Sequence, residues 1–231
     1  MIITIDGPAG AGKSLAARRL AKKLGYRFLD TGAMYRAVTL AGLRQQIDWR
    51  DTGALANIAA QLDIDLSDDR VTLNGEDVTT AIRSFEVTTL TRHAADNLAV
   101  RKRLSELQRA FAAGQNVVTE GRDQATDVFP SAECKIYLNA SDEVRAQRRY
   151  EDLISRGEQV TLAEVLEKQL QRDKRDLERE FGGLRKAAES IEVFTDGLTA
   201  DEVVARLEQL ARTKLAQHWP GTDAEPQAPG P

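Results

Sequence analysis

The chain has 231 residues, 29% charged and 42% hydrophobic, which suits one globular unit with a sizeable core and excludes several independent domains or a disordered polymer. Its net charge of −4 argues against a protein that coats nucleic acid, and no apolar run approaches the roughly 18 residues of a membrane span. One cysteine and two histidines provide neither an internal disulfide nor a zinc cluster; Cys134 reads as a buried apolar residue, and His93 and His218 as incidental.

The N-terminus enters "IITID" (2–6) with no basic or apolar leader, so a cytoplasmic protein is expected. That β-branched run is the first predicted strand, followed by a glycine-rich turn and the helical pattern "KSLAARRLAKKL" (13–24). "YRFLD" (26–30) reads as a second strand and "AMYRAVTLAGLRQQ" (33–46) as a second helix. The segment 62–79 breaks the rhythm: apolar and polar residues alternate, with turn signals at Asp68-Asp69 and Asn74-Gly75, so two or three small antiparallel strands are expected. Beyond it, strands at "QNVVTE" (115–120), "CKIYLN" (134–139) and "SIEVFT" (190–195) have helical sequence nearby at 99–113, 142–155, 161–180 and 199–216. Five short, nearly continuous apolar strands separated by helices predict an α/β fold, a parallel sheet covered on both faces. The last fourteen residues hold four of the six prolines and read as a disordered tail.

The first turn carries chemistry. Gly7, four residues, Gly12, Lys13 and Ser14 form the G-x-x-x-x-G-K-[ST] phosphate loop, placed between a strand and a helix as its mechanism requires. Gly7, Pro8, Ala9, Gly10, Ala11 and Gly12, running into Lys13, Ser14 and Leu15, are expected to wrap the triphosphate of ATP, with Lys13 on the β- and γ-phosphates and Ser14 on Mg²⁺. A dinucleotide fingerprint fits worse, because the glycines are spaced G-x-x-G-x-G. A switch GTPase fits poorly, since the chain has neither Asn-Lys nor Asp-x-x-Gly. Arginines cluster instead where an anionic acceptor would need them: "DTGAMYR" (30–36), "EGRD" (120–123), and a helical face with Arg172, Asp176 and Arg179. Taken alone, that face reads as a solvated salt-bridge network.

The segments "TIDGPAGAGKS", "FLDTGAMYRA", "LNGEDVTTAIRS", "VRKRLSELQRAF", "TEGRDQATDVFP" and "RDKRDLER" stand in the order and spacing of bacterial cytidylate kinases, which the chain resembles over about residues 2–213. The resemblance implies a P-loop NTPase of the nucleoside monophosphate kinase type, a single domain over 1–216. Its core would be 1–35 and 114–216, its monophosphate-binding insert about 36–113, its lid about 148–160, and its tail 217–231. It implies that Thr31, Tyr35 and Arg36 border the monophosphate, with Arg36 on its phosphate. Arg101 and Asp123 would face cytosine, with Arg122 beside them, and Arg172 and Asp176 would contact the acceptor nucleotide. Arg179 would reach the transferring phosphoryl, while Arg148 and Arg149 resemble lid arginines. The chain departs from the family at Arg92, where a serine is usual, at Ala125 in place of glycine, at Asp127 in place of an apolar residue, and at Gly183, where a proline is expected.

The implied reaction is ATP-dependent phosphorylation of CMP, and of dCMP, in pyrimidine metabolism, with Lys13, Arg122, Arg172 and Arg179 catalytic. The implied partners are free nucleotides and Mg²⁺, with a monomeric enzyme and no nucleic acid or membrane. Another acceptor (UMP, AMP or a small metabolite) and a nucleotide-binding protein without turnover stay open.

Overall fold

The computed structural model describes residues 1–67 and 70–218. The expected turn at Asp68-Asp69 and residues 219–231 of the expected tail lie outside the described residues; positions 217 and 218 belong to the last helix. The N-terminal elements are β1 (Ile2–Asp6), α1 (Lys13–Leu24), β2 (Arg27–Asp30), α2 (Thr31–Arg44) and α3 (Thr52–Gln61). A small sheet of β3 (Ile64–Ser67), β4 (Arg70–Leu73) and β5 (Glu76–Asp77) follows, then α4 (Phe85–Asp96), α5 (Leu98–Ala112) and β6 (Val117–Gly121). The chain ends with β7 (Cys134–Asn139), α6 (Asp142–Ser155), α7 (Leu162–Glu178), β8 (Ile191–Phe194) and α8 (Ala200–His218).

Five strands form one parallel sheet in the order β2-β6-β1-β7-β8, and β3, β4 and β5 form a separate antiparallel sheet. Neighbouring residues on one strand enter opposite cores. Phe28 and Val118 join Ile3, Ile5, Ile136 and Leu138 under α1 and α8, whereas Leu29 and Val117 face α2, α3, α5 and the small sheet. A sheet buried on both faces explains why these strands read as apolar runs instead of alternating ones. Cys134 is buried in the first of these cores, which pushes its thiol up to about 11 and leaves it inert. The segment 36–113 shares the second core with the sheet and has no separate core of its own.

Two differences from the sequence expectation have local causes. Helix α2 begins at Thr31, two residues early, because the Asp30 carboxylate accepts the Ala33 N–H at 2.8 Å and caps it. Helices α3 and α4 are not among the helices the sequence predicts. In α4, Thr88, Thr89 and Thr91 donate their hydroxyls to carbonyls four residues back, a local competition that lowers helix propensity, so packing on α2 and α5 holds the helix.

The register aligns the carboxyl ends: Asp6 lies opposite Gly121 and Tyr137, and Asp30 opposite Glu120. The phosphate loop, the start of α2 and the Arg122-Asp123 turn therefore leave the sheet at one edge, beside the central strand where ligands of such sheets bind. Gly7 makes the first turn possible, because its φ is +148° and a Cβ there would lie 2.0 Å from the Leu138 carbonyl oxygen. Gly7→Ala is expected to lower stability by about 2–4 kcal/mol and to abolish binding of an ATP analogue, read by urea denaturation and calorimetric titration.

Candidate active site

The loop from Gly7 to Gly12 delivers the chain to the first turn of α1, where Gly12 is the cap residue and no side chain closes the free N–H groups. That open helix start is the donor array a phosphate requires. Lys13 is buried at the same point, with its Nζ donating to the Pro8 carbonyl at 2.7 Å. Burial first, then the neighbouring Arg122, push its ammonium down to about 7, although Glu120 opposes the shift. Arg122 and Arg172 thus press on the Lys13 ammonium, a repulsion that an incoming polyanion relieves. Ser14 donates its hydroxyl to Glu120 Oε1 at 3.0 Å. A hydroxyl and a carboxylate oxygen side by side are hard ligands of the kind Mg²⁺ takes alongside substrate phosphates. Among the described residues no three His, Cys, Asp or Glu converge to hold a metal unaided.

Facing the loop, Asp176 on α7 gathers the arginines. Its Oδ2 accepts Arg122 Nε at 3.0 Å and its Oδ1 accepts Arg179 Nη2 at 3.0 Å. Burial would raise the Asp176 carboxyl, but Arg122, Arg172 and Arg179 together hold it below the usual carboxylate range. Arg172 lies along the same cleft with no hydrogen bond or ion pair among the described residues; desolvation, and then Arg122, push its guanidinium down. Arg179 is also bound to Asp96 of α4, at 2.7 Å from Nη2 and 3.1 Å from Nε. The helical face that read as a solvated network is therefore half of a cleft.

A second cluster continues this wall. Arg101 Nη2 donates to Asp123 Oδ2 at 2.5 Å and to the Gly182 carbonyl at 2.9 Å, and the guanidinium carbon sits 5.4 Å from the Tyr35 ring centre. Burial raises the Asp123 carboxyl and Arg101 pulls it back. Arg36 Nη2 lies 3.5 Å from Asp30 Oδ1, and its buried Nε has no partner, as is also true of Arg101 Nε. Thr31 is buried and its hydroxyl donates to the Glu120 carbonyl at 2.6 Å.

The departures from the family pattern now have locations. Ala125 is buried, and its backbone N–H donates to Asp6 Oδ2 at 2.7 Å. Asp127 accepts the Thr126 hydroxyl at 2.8 Å, while its backbone carbonyl takes Arg109 Nη2. Arg92 is exposed, donates Nε to His93 at 3.4 Å, and makes no bond to Arg101 or Asp123. His93 packs its ring against Trp49; the His218 side chain is outside the described residues. A Cβ on Gly183 would come within 2.4 Å of the Arg179 carbonyl oxygen, so the expected proline does not fit the turn this chain makes.

Two features escaped the sequence. The first is a cavity of about 200 Å³ beside the phosphate loop, lined by Ala11, Leu15, Arg148, Thr195, Leu198 and Val203. Arg148 donates Nη1 to the Thr195 hydroxyl at 2.9 Å and Nη2 to its carbonyl at 3.0 Å, which fixes the plane of the guanidinium. Arg149 instead pairs with Asp152 on its own helix. The sequence signals were that Thr195 ends the last predicted strand and that Arg148 resembles a lid arginine; their pairing was not visible. The second feature is Arg145, buried on α6, which donates to the Ala9 carbonyl at 2.8 Å and to Asp173 of α7 at 2.6 Å, and also to Asp142. It ties the phosphate loop to the arginine helix. Arg145→Met leaves the Asp173 charge buried and unpaired and should cost about 3–5 kcal/mol, whereas Arg145→Met with Asp173→Leu should recover much of it, both read by urea denaturation.

Comparison with known proteins follows the geometry. A family model described as Cytidylate kinase matches residues 3–213. A cytidylate kinase of Rhodopirellula baltica is 49% identical over 212 residues, covering 92% of this chain and 93% of that one. A cytidylate kinase of a Geobacter species is 44% identical, covering 94% and 95%. Among solved structures, TT1252 from Thermus thermophilus superposes with a TM-score of 0.50 at 17% identity, covering 93% of this chain and 97% of that one, a likeness of fold alone.

Proposed function

Because the chain belongs to the cytidylate kinase family, we propose that it transfers the γ-phosphoryl group of ATP to CMP, and also to dCMP, by in-line attack of a phosphate oxygen. The observation that carries the reading is the cleft in which Arg122, Arg172 and Arg179 surround Asp176, with Lys13 close enough to feel Arg122 and Arg172. Two polyanionic nucleotides repel, by about 4 kcal/mol for each pair of unit charges 4 Å apart near a protein surface. Guanidinium groups converging on the cleft offset that repulsion.

In this reading the residues from Gly7 to Leu15 hold the donor phosphates, and Lys13 exchanges the Pro8 carbonyl for the β- and γ-phosphate oxygens. The donor base occupies the cavity between Leu198, Val203 and the fixed plane of Arg148. Mg²⁺ would be held beside Ser14 and Glu120, where it supplies charge neutralisation to the donor phosphates. Arg36, Tyr35 and Thr31 border the acceptor phosphate, with the unpartnered Arg36 Nε a donor available to it. Arg101 and Asp123 read the cytosine edge, and Arg172 and Asp176 hold the acceptor, Asp176 through ribose hydroxyls. Arg122 and Arg179 stabilise the charge on the group in flight; Arg179 must leave Asp96 to do so. The acceptor phosphate is already ionised near neutral pH, so positioning and charge cancellation supply the rate without a strong general base. The turn between α6 and α7 closes as the lid over about 148–160 and excludes water. We assign the protein as a monomer acting on free nucleotides, to the cytoplasm and to pyrimidine nucleotide supply.

Coupled ADP release against CMP, dCMP, UMP, AMP and GMP tests the reading, with CMP expected to turn over fastest; ATP binding without turnover on any acceptor would refute it. Arg36→Ala should raise the KM for CMP by about 10- to 100-fold while leaving the KM for ATP nearly unchanged. Arg179→Ala should lower kcat by about 100-fold or more with ATP binding retained, measured in the same assay.

A further inference from the structure

Asp6 has none of the roles assigned above, yet it is 1% exposed at the end of the central strand, one residue before the phosphate loop. Both of its carboxylate oxygens face backbone. Oδ1 accepts the Gln124 N–H at 2.9 Å and Oδ2 the Ala125 N–H at 2.7 Å. These are the first two N–H groups of the π turn Gln124–Val128, which directly follows Arg122 and Asp123. Asp123 is the cap residue of that turn, since its carbonyl accepts the N–H groups of Asp127 and Val128. An aspartate in such a place ordinarily folds its own carboxylate back over the free N–H groups. Asp123 does not: its side chain makes no cap bond and is turned to Arg101 at 2.5 Å.

We propose that Asp6 is a positioning residue which, by capping the Gln124 and Ala125 N–H groups from the neighbouring strand, keeps the Asp123 carboxylate on Arg101 and so sets the preference for cytosine at the acceptor site. The inference rests on the reading of Arg101 and Asp123 as base contacts. Asp6 and Asp123 also repel each other, which opposes any return of Asp123 to its own cap. Burial works against Asp6 being charged, pushing its carboxyl up to about 7 despite two N–H donors, so an apolar residue would serve a plain core position better. The Gln124 side chain completes the support, accepting from Thr119, donating to Gln108 at 3.1 Å and reaching Asp123 Oδ1 at 3.5 Å. What position 125 supplies to this device is an N–H, which alanine provides as well as glycine does.

The test begins with the wild-type enzyme, where absence of CMP turnover would overturn the functional reading and this inference with it. Given turnover, Asp6→Asn keeps the shape but loses one acceptor, and Asp6→Ala loses both. The KM for CMP should rise about tenfold in the first and further in the second, with the CMP-over-UMP ratio of kcat/KM falling in step and the KM for ATP within about twofold. A folded variant, judged by its thermal midpoint, that keeps both the KM for CMP and the CMP-over-UMP ratio would refute the proposal. So would a defect confined to ATP. Should neither variant fold, amide hydrogen exchange on the wild-type protein decides: the Gln124 and Ala125 amides should exchange about tenfold more slowly with CMP bound and not with ATP alone. Equal exchange with and without CMP would refute it.

Discussion

Three guanidinium groups crowd the Asp176 carboxylate, and the rest of the site follows from that arrangement. Arg122 and Arg179 bond to it and Arg172 lies alongside, so their combined field holds Asp176 charged against its burial. Burial lowers the Lys13 ammonium, and Arg122 and Arg172 add to the effect. Cations so placed repel one another in the empty protein. Negative charge brought by two nucleotides would relieve that repulsion, so the arrangement suits a reaction between two anions.

Such repulsion is tolerable only on a rigid frame. The parallel sheet, buried on both faces, aligns the ends of β1, β2 and β6 to one edge, so the phosphate loop, Arg36 and Arg122 cannot drift apart without breaking a core. Buried polar braces then link the loops that the sheet only starts. Arg145 connects the phosphate loop to α7, and Asp6 connects the strand before that loop to the turn after β6. Each brace desolvates a charge and is strong only while its partners are present. By contrast, the Nε atoms of Arg36 and Arg101 are buried without partners, donors that the protein itself leaves unsatisfied. In the proposed reading they lie on the acceptor side of the cleft, where an anionic and hydrogen-bonding ligand would satisfy them.

Contacts within one element or between its immediate neighbours in sequence were legible in advance. The phosphate loop needs only a strand, three glycines, a lysine and a helix start in order, and the five core strands announce themselves as short, mostly apolar runs. Local pattern likewise put Arg172 and Asp176 on one face of a helix, but the expected place of Arg179 on that face is corrected: α7 ends at Glu178 and Arg179 is its cap residue, with an extended backbone. What no local pattern contained was which charges meet. Asp96 with Arg179, Arg145 with Ala9 and Asp173, Arg148 with Thr195, and Asp6 with Gln124 and Ala125 join residues on different elements.

The sequence by itself therefore determined the architecture of the sheet and the cradle for a triphosphate, because strand burial and loop geometry are encoded by neighbours a few residues apart. Only the tertiary structure decided that the arginines form one cleft instead of several solvated pairs, that a base-sized cavity opens beside Arg148, and that Asp123 faces Arg101 and not its own turn. A charge's role depends on its distance to other charges and on the water between them, and both quantities exist only once the chain has folded.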